Sequence, residues 1–338
     1  MPEVARSPIL RAEDVGVAVP VGRGWLEVVR GVDLELHSGE THVLVGESGS
    51  GKSMTARAML GLAPSGARLR GTVRFDGASL LDMEPAALSR IRGGDIGWIP
   101  QDPSAALDPL RRVGPQITEV IRVHERPVSR KAARGRALEL LRLVGFNEPS
   151  LTARSHPHTL SGGMRQRAAI AVAIACRPRI LIADEPTTAL DVTLQAQILD
   201  LLADLRRGIA MAVLLVTHDI GVAREAGDRV SVMYAGELVE SGPARQVLDD
   251  PRHPYLRALL AAEPGLDTSR GELRALPGQP PEFDALPAGC SFGPRCEHVH
   301  DRCQRAPVLT PAGPGRAVAC HLITPVPSSS TVHGRREL

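Results

Sequence analysis

From Gly46 to Ser53 the chain reads G-x-x-x-x-G-K-S, with the apolar run Val43, Leu44, Val45 before it and a helix-compatible stretch from Met54 to Leu60 after it. That pattern suits a phosphate. The glycines let the backbone turn so that the N–H groups of Gly46, Glu47, Ser48, Gly49, Ser50 and Gly51 point inward, and the helix opening at Lys52, Ser53 and Met54 adds its positive dipole end. Lys52 would reach the β- and γ-phosphates, and the Ser53 hydroxyl would complete the shell of a Mg²⁺ ion. Composition sharpens the reading: of 40 Lys and Arg residues only Lys52 and Lys131 are lysine. One of the two lysines thus sits where a flexible point charge is wanted.

Further along, four other positions carry chemistry-bearing side chains at the ends of apolar runs. Asp95 to Gln101 reads as a strand ending in an amide, and Gln101 would contact Mg²⁺ or an attacking water, or serve structure only. At Leu160 to Arg167 a Ser161, Gly162, Gly163 triplet opens a long helical run to Cys176, giving a hydroxyl, two unobstructed N–H groups and a second positive helix end. Ile180 to Glu185 is a buried strand ending in two carboxylates. Alternation along a strand would send Asp184 and Glu185 to opposite faces, so one would hold the metal through water while the other polarises a nucleophilic water. The strand Val213 to Thr217 ends at His218, which either donates to a γ-phosphate oxygen or is a surface residue.

The elements that must position these groups are legible from periodicity. Residues 9 to 45 alternate apolar and polar positions and turn at Ser38 and Gly39, which is strand and hairpin patterning. Trp25 lies before these strands, either stacking on an adenine ring or as an ordinary half-buried aromatic. Gly71 to Gly77 is a further strand and turn. Val113, Ile117, Val120, Ile121 and His124 share a helix face, as do Ala137, Leu141 and Val144, with Ser129 as cap and Gly145 as stop. A helical insert is therefore expected over about 103–160, outside the main sheet.

Composition excludes several classes. At 338 residues the chain exceeds one ordinary core, and its net charge of +2, with basic and acidic residues interspersed, gives no support to a nucleic-acid surface. No apolar run reaches the roughly 18 residues needed to span a bilayer, and the N-terminus lacks a signal pattern, so the chain is expected in the cytosol with any membrane role through a partner. Four of the five cysteines fall after residue 289, which in a cytosolic chain points to metal instead of disulfides.

Gly46 to Ser53, Gln101, Leu160 to Arg167, Ile180 to Glu185, Ala189 to Asp191 and His218 occur in that order, and together they resemble the ABC-type ATPase subunits over about residues 9–265. The resemblance implies an α/β P-loop nucleotide-binding domain with a helical subdomain, and roles as follows. Lys52 and Ser53 belong to Walker A, Gln101 to the Q-loop, and Ser161, Gly162 and Gly163 to the signature. Asp184 is the Walker B acid, Glu185 the catalytic carboxylate, Asp191 the D-loop acid and His218 the switch histidine. It also implies a head-to-tail pair with ATP held between one P-loop and the other signature helix. The stretches Gln101 to Leu110, Ala183 to Asp191, His253 to Tyr255 and Leu276 to Pro281 resemble the dipeptide/oligopeptide importer branch, and Met164 to Arg167 its D-type ATPase. The implied partners are an F-type ATPase, two membrane permease subunits coupled near Gln101 to Val123, and an extracytoplasmic solute-binding protein. The implied place is the cytoplasmic face of the inner membrane, peripherally. Rival classes are a soluble ABC ATPase working on nucleic acid or ribosomes, an importer of nickel, haem or sugar, and a nucleotide kinase.

On this reading residues 1–265 form the ATPase domain and 266–338 an extension rich in Pro, Gly and Arg with a disordered tail. Within it Cys290, Cys296, Cys303 and Cys320 are spaced by 5, 6 and 16 residues. A loop-rich segment with few large apolar residues gains from a metal, and four thiolates suit Zn²⁺ or a [4Fe–4S] cluster. The spacing lacks close C-x2-C pairs, and the stretch Gly289 to Cys296 resembles importer ATPases that carry such a cluster; unliganded thiols are the third alternative. Cys176, ending an apolar helix, reads as a packing residue.

Overall fold

Aliphatic runs of five or six residues suit strands covered on both faces, whereas alternating runs suit strands wetted on one. Both kinds occur here, and they sort into two sheets. The computed structural model describes residues 7–188, 190–262 and 276–323; Ala189, the composition shift at Pro264 and the Ser- and Arg-rich tail lie outside them.

The chain opens with β1 (Leu10–Val21), β2 (Gly24–Leu36) and β3 (Thr41–Val45), then α1 (Lys52–Ala58), β4 (Arg68–Phe75), β5 (Ala78–Ser79), α2 (Pro85–Ile91) and β6 (Ile96–Ile99). Next come α3 (Val113–His124), α4 (Arg130–Leu143), α5 (Pro149–Arg154), α6 (Gly162–Ala173), β7 (Ile180–Asp184), α7 (Val192–Ile209) and β8 (Ala212–Thr217). It continues through α8 (Ile220–Ala226), β9 (Arg229–Tyr234), β10 (Glu237–Pro243), α9 (Ala244–Asp249) and α10 (Pro254–Ala261) to β11 (Thr310–Gly313) and β12 (Arg316–Val318).

The alternating strands form an antiparallel sheet in the order β2-β1-β4-β5. The aliphatic ones form the centre of a sheet ordered β11-β12-β10-β9-β3-β8-β7-β6, in which β9, β3, β8, β7 and β6 run parallel. One face of this centre, through Leu44, Ile182, Leu214 and Val216, shares a core with the antiparallel sheet and with Ala56, Met59 and Leu60 at α1. Its other face, through Val43, Leu181 and Leu215, is covered by the helices.

The insert expected over 103–160 is helical. Ile117 and Ile121 of α3 and Ala133, Ala137 and Leu141 of α4 are buried together, the Ser129 hydroxyl caps α4 by accepting from Ala132 N–H, and Gly145 at φ 88° ends it. Burial pushes the Cys176 thiol up to about 11, and its Sγ lies 3.8 Å from the Val120 carbonyl at the base of the insert.

The C-terminal region is more ordered than a loop-rich reading suggests. β12 pairs antiparallel with β10 and carries β11 on its outer side, so the extension widens the main sheet by two strands. Arg316 fixes that seam. Its guanidinium forms an ion pair with Glu240 and donates to the Asp250 carbonyl, with both charged side chains almost fully out of solvent. Truncating one partner of such a pair leaves the other charge buried and costs about 3–5 kcal/mol.

Candidate active site

Four adjacent parallel strands end level with one another. Val45 is paired with Thr217, Asp184 with Val216 and Ile99 with Ala183, so the segments leaving β3, β8, β7 and β6 emerge at a single edge of the sheet. A crevice beyond the carboxyl ends of parallel strands is where α/β sheets receive ligands. Here it gathers Gly46 to Ser53, His218, Asp184 with Glu185, and Gln101.

The loop from Gly46 to Gly51 is shaped by two glycines that no other residue could replace. A Cβ on Gly46 would lie 2.2 Å from the Met233 carbonyl oxygen, and one on Gly51 would lie 2.7 Å from that of Val28, with φ at 103° besides. The loop closes around Lys52, whose Nζ donates to the carbonyls of Gly46 and Glu47, each at 2.8 Å. Burial pushes the Lys52 ammonium below its ordinary value, opposed by the nearby carboxylates Glu185, Asp184 and Glu47. A buried cation held by neutral carbonyls is free to exchange them for an anion. The hydroxyl of Ser50 is also buried without a hydrogen-bond partner among the described residues.

Asp184 is fully buried at the end of β7. Its Oδ1 accepts from the Ser53 hydroxyl at 2.8 Å, while Oδ2 has no partner among the described residues. Burial raises the Asp184 pKa, and the Ser53 hydrogen bond opposes the rise. One hydroxyl and one orphaned, buried carboxylate oxygen form a donor set that fits a hydrated divalent cation.

Strand alternation does not separate the two acids, because β7 ends at Asp184. Glu185 takes φ 47°, in the left-handed region that costs a non-glycine residue about 1 kcal/mol or more, and its N–H donates to the Val216 carbonyl at 2.9 Å. That turn delivers its carboxylate to three groups. Oε2 accepts from Gln101 Nε2 at 3.2 Å and from the Thr188 hydroxyl at 2.8 Å, and lies 3.3 Å from His218 Nδ1. Gln101 and His218 therefore touch Glu185 itself in this structure. Thr188 escaped sequence reasoning, although it follows Glu185 by three residues in a turn.

The second set of candidate residues stands on helix starts elsewhere. Ser161 caps α6, accepting from Met164 N–H at 3.3 Å, and Asp191 caps α7, accepting from Leu194 N–H at 2.9 Å. A Cβ on Gly163 would meet Leu194 at 2.1 Å, so that glycine serves packing of α6 on α7. Gly162 has open space around it and no positive φ, so nothing in this chain requires glycine there. Among the described residues no hydrogen bond joins this set to the loop of Gly46 to Ser53.

Two groups from the C-terminal part reach the loop. The Glu47 N–H donates to the Tyr255 hydroxyl at 2.8 Å, and the Glu47 carboxylate is gripped by Arg295 through two hydrogen bonds of 2.7 and 3.1 Å. Sequence reasoning picked out His253 to Tyr255, and the stretch Gly289 to Cys296 that contains Arg295, only as parts of a resemblance, and gave Arg295 itself no role. Trp25 sits in the β1–β2 hairpin, 45% exposed, with the Arg68 guanidinium 3.8 Å above its ring.

The cysteines come together. Cys290, Cys296, Cys303 and Cys320 line one small cavity with His298 and His321 beside them, and all remain free thiols. Burial raises the pKa of Cys290, Cys296 and Cys320. No three His, Cys, Asp or Glu side chains among the described residues stand close enough to share one metal ion. No helix among the described residues is long and apolar enough to cross a membrane.

Comparison with known proteins agrees with this geometry. Residues 29–188 match the ABC transporter family, and residues 239–303 match the oligopeptide/dipeptide transporter C-terminal region. The oligopeptide transport ATP-binding protein OppD of Mycobacterium tuberculosis is 48% identical over 316 residues, covering 93% of this chain and 52% of that protein, so the chain spans about half the length of this relative. OppD of Bacillus subtilis is 46% identical over 294 residues, 86% of this chain and 82% of its own. A solved dimeric ATP-binding cassette in a post-hydrolysis state, bound to ADP and phosphate, superposes with a TM-score of 0.63 at 32% identity, over 70% of this chain and 99% of that one. The α/β fold with a P-loop and a helical insert is therefore that of an ATP-binding cassette, and the chain belongs to the ABC transporter family, within its oligopeptide and dipeptide branch.

Proposed function

We propose that this chain binds and hydrolyses MgATP as one cassette of an importer, powering uptake of di- and oligopeptides through separate membrane subunits. The observation that carries the reading is the convergence of Lys52, Ser53, Asp184, Glu185, Gln101 and His218 beyond the ends of four adjacent parallel strands. The N–H groups of Gly46 to Met54 cradle the phosphates, and Lys52 leaves its two carbonyls to bind them. Ser53 and Asp184, helped by Gln101, would hold Mg²⁺, which would supply charge neutralisation at the phosphates. Glu185 orients and polarises the attacking water, and His218, beside it, donates to the γ-phosphate side.

Ser161, Gly162, Gly163 and Asp191 complete the site of a second cassette facing this one. Gly162 has open space where a side chain would stand, and this fits the close approach of a partner's nucleotide. The partner is read as a related F-type ATPase. Residues 1–265 act as the cassette, and 266–338 as the extension.

The membrane subunits are assigned to the helical insert. A groove of about 830 Å³ there holds one ion pair, Arg111 with Glu119, and is otherwise lined by arginines such as Arg112, Arg122, Arg130 and Arg154 that have no ion pair among the described residues. Their docking segment should be acidic. A solute-binding protein outside the membrane would deliver the peptide, and the chain would sit peripherally on the cytoplasmic face. Vesicles carrying this chain, its partner cassette and the permeases are expected to accumulate labelled oligopeptide only with ATP; hydrolysis without peptide accumulation, or transport of nickel or sugar instead, would overturn the substrate assignment.

For the extension, a [4Fe–4S] cluster on Cys290, Cys296, Cys303 and Cys320 is the reading the donor set favours. What supports it is that the four cysteines line one cavity as free thiols and that Gly289 to Cys296 resembles importer ATPases carrying such a cluster. Bound, a cluster supplies cross-linking of the loops and neutralisation of the thiolates. Anaerobically purified chain should contain about four iron and four sulfide per molecule; stoichiometric zinc, or neither metal nor sulfide, would exclude it.

A further inference from the structure

Arg295 ends the short 3₁₀ turn Gly293–Arg295, between Cys290 and Cys296. Its side chain is only 4% exposed, yet it reaches out of the cysteine segment to Glu47 in the phosphate loop. Every polar contact of its guanidinium is directional. Nε donates to the Pro277 carbonyl at 2.8 Å, one terminal nitrogen donates to Glu47 Oε2 at 2.7 Å and to the Tyr234 hydroxyl at 3.3 Å, and the other donates to Glu47 Oε1 at 3.1 Å. The fork is anchored in a ring cluster: Phe292, three residues earlier, meets Tyr234 and Tyr255 at centroid distances of 5.3 and 5.5 Å and also lines the cysteine cavity. The cavity, the rings and the loop thus form one continuous set of contacts.

Glu47 needs this grip for an electrostatic reason. Its carboxylate belongs to the residue right after Gly46, in a loop whose N–H groups face a polyanion, and it is close enough to Lys52 to favour that ammonium's charged form. Left unpaired, it would repel phosphate and compete for Lys52. Paired with Arg295 in bidentate fashion, it is neutralised and its direction is fixed.

We propose that Arg295 is a positioning residue that neutralises and holds Glu47, so that the cysteine-lined segment sets the affinity of the phosphate loop for nucleotide. The inference rests on the reading of Gly46 to Ser53 as a nucleotide site. It requires reciprocity: whatever orders the segment tightens nucleotide binding, and nucleotide orders the segment by the same factor.

The test uses the full chain and two measurements, equilibrium ATP binding and amide hydrogen exchange over residues 289–304, where Cys290 N–H donates to the Cys303 carbonyl at 2.9 Å. Arg295→Ala should weaken ATP binding about tenfold, and Arg295→Lys, which keeps the charge but loses the fork, about threefold. Adding Glu47→Gln to Arg295→Ala should restore most of the loss, a result that a merely structural arginine would not give. ATP should slow exchange over 289–304 in the wild type and lose that effect in Arg295→Ala. Unchanged ATP affinity in Arg295→Ala, no rescue by Glu47→Gln in a folded double variant, or exchange indifferent to ATP would each overturn the positioning role alone. Should Arg295→Ala not fold, Arg295→Lys decides, equal ATP affinity to wild type counting against it. A wild-type chain that binds no ATP would overturn the nucleotide reading and this inference together.

Discussion

Glu185→Gln should bind ATP as tightly as the wild type and yet turn over 10² to 10⁴ times more slowly, the range about which a positioned general base contributes. The geometry explains the split. Glutamine keeps the shape that receives Thr188 and reaches Gln101, and it leaves Ser53 and Asp184 untouched, so phosphate and cation contacts survive. What is lost is the negative charge that, on the proposed role of Glu185, draws a proton from water. If the proposed pairing with a second cassette holds, two cassettes joined by intact ATP lose their route to separation, and ATP-dependent dimers should accumulate. Gel filtration with MgATP together with steady-state phosphate release checks both halves. Wild-type turnover in this variant would move the base to another residue, and His218 is the first alternative because it lies 3.3 Å away.

Lys52→Ala should lose nucleotide affinity by about 100-fold, in line with truncating one partner of a buried, hydrogen-bonded charge contact. The variant also strips the Gly46 and Glu47 carbonyls of their shared donor, so a loosened loop adds to the loss. Arginine should not rescue: its rigid planar fork is wider than the compact ammonium, and the space between the two carbonyls is shaped for a single donor. Calorimetric titration with ATP measures the effect, and a melting curve separates it from global unfolding. Retention of near-normal affinity would mean that the backbone cradle alone holds the phosphates.

Much of this was legible in the sequence because the chemistry lies at strand ends, and an apolar run followed by a polar residue advertises a strand end. Asp184 and His218 close such runs, Lys52 stands at the far end of the glycine loop that one of them feeds, and the residues that carry the insert helices repeat at 3.6. What stayed hidden depends on contacts between distant parts of the chain. The left-handed turn at Glu185 leaves no mark in residue type, since glutamate is an ordinary choice everywhere else. Arg295 is one arginine among many, and its partner is 248 residues away. β11 and β12 are four and three residues long and contain Pro311, Gly313 and Arg316, so no local pattern separates them from loop; they exist because β10 offers an edge and Glu240 offers a buried charge.

That last arrangement also imposes an order of events during synthesis. Glu240 leaves the ribosome 76 residues ahead of Arg316, which at about 5–20 residues per second is roughly 4–15 s. Throughout that interval the nascent chain carries a carboxylate destined for the interior that has only the Arg252 and His253 N–H groups and no countercharge, and an open edge on β10, able to pair with any extended segment nearby. A pause or truncation before Arg316 would therefore release a cassette whose nucleotide residues are all present and whose sheet is still unsealed, the kind of species that chaperones and proteases recognise first.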